Sequence, residues 1–299
     1  MLRRLTRPGM IGAVVSVLWL MVFLALYVEP PNRCNPALEQ LGWGWSLFVT
    51  AGLGWGMGLF LLAMNDVLDA RHDRAFEPER PIPSGGVTQR AVMGLALFGL
   101  LLAVGLSQFL GTASVVLTLL TLGSIAFYNL AGRFMPAVGI VTLGLIVGMA
   151  ALIPNPRLAF GWPILLMMTH TIGSATVRHL LAGKRPRLTP TDGWGILIGW
   201  VFWCMVVLVL IGVRGRGIEY EGLRLIWLGP LLAAVVLSLL IWLRLGPAAL
   251  VPRNRRATAE RLTGLTASWL IVFNASWLLS AGLWWQGLVL IALLYVESR

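Results

Sequence analysis

Nine apolar runs, each close to the length a helix needs to cross a bilayer, follow one another along the chain. They fall at roughly 10–28, 42–64, 90–109, 113–129, 137–153, 161–181, 194–212, 224–243 and 262–281. No ordinary soluble domain takes in so many apolar stretches, and the mean hydropathy of +0.83 agrees. The expected fold is therefore all-α: a polytopic membrane helical bundle of about nine transmembrane helices, forming one membrane-embedded domain over residues 1–299. A further apolar piece, Leu283 to Val296, is short for a span and reads either as a tilted tenth helix or as an interfacial segment. The opening MLRRLTRPGM imitates a signal peptide, but no small-residue cleavage pattern follows Leu26, so the run behind it counts as the first span.

Short loops carrying Lys and Arg stay on the cytoplasmic side. With the N-terminus inside, 17 of the 23 basic residues fall on that side, so the net charge of +11 reads as topology rather than as a nucleic-acid footprint. The expected setting is multi-pass in the cell inner membrane, with membrane lipid around it, no nucleic acid and no obligatory protein partner. Cys34 in an outer loop and Cys204 within a span offer neither a disulfide framework nor a metal-ligand cluster. The longest polar insertions are the opening stretch, Arg178 to Asp192 and Arg244 to Arg261. All three belong to the cytoplasmic face, which directs the search for function there.

Between two apolar runs on that face lies NDVLDARHDRAFEPERPIPSGG, Asn65 to Gly86, with five acids and three arginines. Asp66, Asp69 and Asp73 stand at i, i+3 and i+7, which at about 100° per residue puts them within a roughly 60° arc of one helix face. Three clustered carboxylates beside hydrocarbon repel one another, and a hard divalent cation offsets that. Mg²⁺ takes one or two carboxylates, retained waters and substrate phosphate oxygens, so the face suits an ion that brings a diphosphate with it; Asn65 adds a neutral oxygen. The bland reading is a solvated loop whose acids pair with Arg71, Arg74 and Arg80. Arg80 then precedes a stiff Pro-x-Pro element and a Gly pair, a way of holding a basic residue in a fixed pose.

The run Asn65-Asp66-x-x-Asp69-x-x-x-Asp73 followed by ERPIPSG, Glu79 to Gly85, resembles the first aspartate-rich motif and following loop of the UbiA-type intramembrane prenyltransferases. The span count suits that family too. The resemblance implies a helical bundle around a cavity that binds an isoprenyl diphosphate through Mg²⁺. Asn65, Asp66, Asp69 and Asp73 would hold the magnesium diphosphate and Arg80 would contact phosphate. An allylic carbocation released there would alkylate a lipid-soluble or amphipathic acceptor. Within the same fold, a cyclase or lyase without an acceptor, or a non-catalytic prenyl-lipid binder or carrier, are the rival readings.

Two further stretches bear on that implication. In FYNLAGRFMP, Phe127 to Pro136, Tyr128 and Arg133 match the Tyr and basic residue that family members often carry, but five apart, on different helix faces unless the helix ends at Gly132. A Tyr-Asn pair at a span end is otherwise an ordinary interfacial anchor. After the sixth span, where the family presents a second aspartate-rich motif, the sequence TIGSATVRHLLAGKRPRLTPTDGWG has no acid before Asp192 and carries Arg178, His179, Lys184, Arg185 and Arg187 instead. Either these fixed cations replace a second metal against the diphosphate, with Arg178 foremost, or they obey the positive-inside rule alone. His170, Ser268, Asn274 and Ser276 read as interhelical hydrogen-bonding groups. Tryptophans near span ends, such as Trp43, Trp45, Trp162, Trp194, Trp227, Trp284 and Trp285, read chiefly as interfacial belts.

Overall fold

The computed structural model describes residues 8–183, 186–215, 226–249, 251 and 255–298. Ten α-helices occur among them. They are α1 (Pro8–Tyr27), α2 (Pro36–Phe76), α3 (Gln89–Ser107), α4 (Thr112–Leu130), α5 (Pro136–Leu152), α6 (Trp162–Ala182), α7 (Pro190–Arg214), α8 (Leu228–Ala249), α9 (Arg255–Ser280) and α10 (Trp284–Ser298). No strand occurs among the described residues. Each expected span has its helix, and the short apolar piece at the C-terminus forms the tenth. Seven helices, α1 to α4 and α7 to α9, are long and apolar enough to cross a membrane on those grounds alone. The other two expected spans fall short for different reasons. α5 has only 17 residues, and α6 carries Thr169, His170, Thr171, Ser174, Thr176 and Arg178 along its 21.

The helices close into a ring. α1 packs on α2, α2 on α3 and α4, α4 on α5, α5 on α6, and α9 joins α6 back to α1. A helix apolar all round is one that the bundle encloses, and α1 is such a helix: Leu18, Leu20, Met21, Val22, Phe23 and Leu24 are fully buried. α3, α7 and α8 instead turn Phe98, Phe202, Val209, Val235 and Trp242 outward, the faces a bilayer would cover. Close approach of α2 to α3 rests on Gly56 and Gly99, since a Cβ on Gly56 would come within 2.6 Å of the Gly99 carbonyl oxygen. As expected of isolated polar groups in spans, His170 Nε2 meets the Thr266 carbonyl at 3.3 Å and Asn274 donates to Ser16 Oγ at 3.0 Å.

Asn35 caps α2 and Pro36 occupies its first turn. Gly42, at φ 69°, breaks the helix and separates a short entry turn from the main span. The part beyond Gly42 runs roughly 50 Å at about 1.5 Å per residue, against a hydrocarbon core of about 30 Å. Its last three turns, with Asn65 to Asp73, therefore stand clear of the apolar stretch.

At the opposite end the chain from Ile153 to Gly161 is largely non-helical yet buried, which is tolerated at membrane depth only when its backbone groups find partners within the protein. They do. Glu29 Oε1 accepts from the Ala159 and Phe160 amides at 2.9 and 2.5 Å, and Asn35 Nδ2 donates to the Leu110 and Pro154 carbonyls, both at 2.9 Å. Ser114 Oγ donates to Ile153 at 2.6 Å, and Arg214 Nη1 donates to Leu158 at 3.2 Å. Burial raises the Glu29 carboxyl above its ordinary range against those two amides and the nearby Arg33 and Arg214. Cys34 and Cys204 are both free and buried; burial, together with Glu39 and Glu29, pushes the Cys34 thiol up to about 11, which leaves it unreactive.

Candidate active site

The carboxylate face predicted from spacing is helical throughout, because α2 runs unbroken from beyond Gly42 to Phe76. Asn65 Nδ2 donates to Asp69 Oδ2 at 3.1 Å, one turn along the helix. Asp73 is buried, and Asp66 and Asp69 are half-buried. The three carboxylates do not meet at one point as the spacing suggested. Among the described residues no group of three or more His, Cys, Asp or Glu side chains stands close enough to hold a metal ion as it is. Asp69 and Asp73 each turn to a guanidinium, which offsets the mutual repulsion of the carboxylates. Asp69 pairs with Arg133, and Asp73 Oδ2 accepts from Arg80 Nη1 at 2.9 Å.

Arg80 is held as its surroundings in sequence require. Beyond α2 the chain makes successive turns, with the Arg80 amide on the Glu77 carbonyl at 3.1 Å and the Ser84 amide on the Arg80 carbonyl at 2.9 Å. Ile82 is buried beneath them, and Gly85 takes the left-handed conformation, φ 75°, that ends the turn. Arg80 Nε meets Glu77 Oε2 at 2.5 Å while its Nη1 reaches Asp73. Burial alone would lower the guanidinium, but these two carboxylates hold it above its ordinary value. Glu77 is the site residue that sequence reasoning passed over. Its signal was the i, i+3 spacing to Arg80, a common surface pairing.

A small pocket adjoins the carboxylates. Tyr128, Arg133, Arg178 and His179 line it together with Gly132, Gly139, Ile140 and Ala175, so four of the candidates, from α4, α6 and the turn after α4, share one pocket. The condition set by the five-residue spacing of Tyr128 and Arg133 is met: α4 ends at Leu130, a single 3₁₀ turn follows from Gly132 to Phe134, and Arg133 swings to the side that Tyr128 faces. That turn is pressed against α5, where a Cβ on Gly139 would lie far inside contact distance of the Gly132 carbonyl. Arg133 joins the two halves, with its guanidinium on Asp69 and its ring-side face 4.9 Å over Phe134. Its Nε and the Oδ1 of buried Asn129 have no partner among the described residues. His179 Nε2 lies 3.0 Å from the Pro186 carbonyl, and Arg178 has no ion-pair partner among the described residues. Lys184 and Arg185 lie outside the described residues.

The arrangement offers hard carboxylate oxygens on one wall and guanidinium groups on the other, at the end of the bundle where α2, α4 and α6 finish and α5 begins. No protein-family model matches the sequence, and no curated protein does. Among solved structures, the apo structure of a UbiA homolog from Aeropyrum pernix K1 superposes with a TM-score of 0.56 at 15% identity, over 89% of this chain and 96% of that one. A structure of digeranylgeranylglyceryl phosphate synthase in membranes matches over 92% of this chain and 96% of that one, at 13% identity and a TM-score of 0.49. The first overlay shows that the chain has the fold of that UbiA homolog.

Proposed function

We propose, with the UbiA-type fold as premise, that the protein transfers an isoprenyl group from an isoprenyl diphosphate to a lipid-soluble or amphipathic acceptor, at a site facing the cytoplasm. The observation that carries this reading is the Asp69–Arg133 pair, which ties the carboxylate face of α2 to the pocket lined by Tyr128, Arg178 and His179. A diphosphate ester needs both walls: oxygens for the cation that accompanies it and fixed cations for the charge it develops as it leaves.

Magnesium fits the donor set by chemistry. Asn65, Asp66, Asp69 and Asp73 present the hard oxygens that Mg²⁺ takes alongside phosphate. When bound there it supplies charge neutralisation to the leaving diphosphate. Asp69 and Asp73, now paired with Arg133 and Arg80, would hold the ion in place of those arginines, and the two guanidiniums would then be available to phosphate oxygens. Arg178 and His179 line the pocket that Arg133 joins to Asp69 and would receive the other side of the diphosphate, in the role a second metal would otherwise fill. Tyr128 lines the same space.

The test is to reconstitute the protein in lipid nanodiscs, supply geranylgeranyl diphosphate with Mg²⁺ and a panel of lipid-phase acceptors, and measure diphosphate release alongside prenylated product. Acceptor-dependent release is expected. Release without any acceptor would make the protein a cyclase or lyase, and no release with the donor bound would make it a prenyl-lipid carrier.

A further inference from the structure

The end of the bundle remote from the carboxylates holds a second feature, a narrow groove between α5, α6 and α7 that is open along one side. Leu145 and Met149 of α5, Met168 of α6, and Trp203 and Val206 of α7 form its walls, and among the described residues Arg214 is the one charged side chain that lines it. We propose that this groove takes one chain of an anionic phospholipid and that Arg214 receives its phosphate.

A groove of this kind in a membrane-spanning bundle suits a hydrocarbon chain, which the apolar walls accept without an unmet polar group. The choice of headgroup follows from charge. Arg214 Nη1 donates to the Leu158 carbonyl at 3.2 Å, which fixes the guanidinium at the end of the groove and leaves its remaining N–H groups without an acceptor among the described residues. Glu29, the neighbouring acid, spends one oxygen on the Ala159 and Phe160 amides and makes no ion pair with either arginine among the described residues. Arg33 completes the group, with a buried Nε that has no partner there. Among the described residues this end carries Arg33, Arg157 and Arg214 against Glu29 and Glu39, which leaves it positive. A lipid with a net anionic headgroup complements it, whereas a zwitterionic one brings an ammonium towards the same guanidiniums. The site shares no residue with the carboxylate end, so it stands or falls apart from the proposed reaction.

The experiment uses full-length protein in nanodiscs of mixed phosphatidylglycerol and phosphatidylcholine, with retained lipid counted by native mass spectrometry. Wild type is expected to keep one phosphatidylglycerol with about tenfold preference over phosphatidylcholine, the equivalent of one charge-assisted contact. Arg214→Gln should reduce the preference to about twofold or less, while Arg214→Lys, which keeps the charge, should retain part of it. Val206→Trp, at a half-buried position on the wall, should displace retained lipid of both classes by filling the slot. Equal retention of the two lipids by wild type would overturn the proposal and leave an unselective apolar slot. So would a preference that survives Arg214→Gln, or phosphatidylglycerol retention unchanged in Val206→Trp. If Arg214→Gln does not fold, the wild-type preference and the Lys and Trp variants decide the matter.

Discussion

Asp69 and Asp73 carry the proposed metal chemistry, yet both are engaged by arginine, and that gives the site a measurable signature. A half-exposed ion pair contributes roughly 0.2–1 kcal/mol, so Arg133→Gln, which frees Asp69, should tighten binding of Mn²⁺ alone by about two- to fivefold. The same change should weaken diphosphate, because the guanidinium is lost from the phosphate side. Electron paramagnetic resonance of free Mn²⁺, with and without inorganic diphosphate, reads both. Unchanged or weaker Mn²⁺ binding in the variant would refute the exchange of partners. Arg178, which has no ion-pair partner among the described residues, should behave differently: Arg178→Gln should cost roughly 2–4 kcal/mol in turnover, by analogy with loss of one oxyanion donor. Negative charge grows on the leaving group as the bond breaks, so the loss belongs in kcat as well as in donor affinity. A purely topological arginine would instead lower the inserted fraction and leave the rate per inserted molecule unchanged. Asn65, Asp69, Asp73 and Arg80 were legible in sequence because one helix and one turn place them. The meeting of Tyr128, Arg133, Arg178 and His179 was not, since it depends on how α4, α5 and α6 pack and on where α4 stops.

The turn between α4 and α5 is what aims Arg133, and it works through two glycines. Gly139→Ala would drive a methyl into the Gly132 carbonyl, an overpacking that costs about 1–3 kcal/mol and shifts the turn. The expected result is a lower unfolding temperature together with loss of diphosphate affinity, whereas Ala at Gly173, inside α6 with open space around it, should leave the affinity unchanged and not lower the unfolding temperature. At the other end, the buried segment from Ile153 to Gly161 was read in sequence as the border between two spans. The signals for it were dispersed: Glu29 beside two prolines, and the Asn-Pro pairs at 35–36 and 155–156. A periodicity argument does not register them, because each acts on backbone far away in the chain. The raised Glu29 carboxyl gives this segment a pH dependence. A folded value above the ordinary one means that the group's contribution is fully present below about 4.5 and is lost as pH rises through the raised value. Glu29→Gln keeps an oxygen for the Ala159 and Phe160 amides and removes the buried charge. Thermal unfolding in detergent should therefore show the variant gaining on wild type as pH rises from the acid range towards neutrality. A constant difference across that range would rule out the carboxyl as its source.

The bundle as a whole has two chemically distinct ends, and the functional reading needs a specific one of them to face the cytoplasm. Apolar run lengths made the helix count legible, but they do not separate helices that cross alone from α5 and α6, which are completed by their neighbours in the ring. Orientation rests on charge: the end carrying Arg71, Arg74, Arg80, Arg90, Arg133, Arg178 and Arg187 outweighs the end carrying Arg33, Arg157 and Arg214. The bundle alternates, so residues in the loop after α2 and in the loop after α5 must lie on opposite sides of the membrane. Ser84 and Arg157 are exposed members of those loops. Cys34 and Cys204 are buried and unpaired, so replacing both by Ser provides a cysteine-free background. In that background a Ser84→Cys variant should react with a membrane-impermeant maleimide only when the cytoplasmic face is presented, as in inverted vesicles. An Arg157→Cys variant should react only in intact cells or right-side-out vesicles. Exchange of the two patterns would turn the site outward, away from cytoplasmic diphosphate and magnesium, and the proposed reaction would lose its supply of both. Labelling of both cysteines from one side would contradict the alternation of helices itself, and with it the assignment of α3, α4 and α5 as three successive crossings.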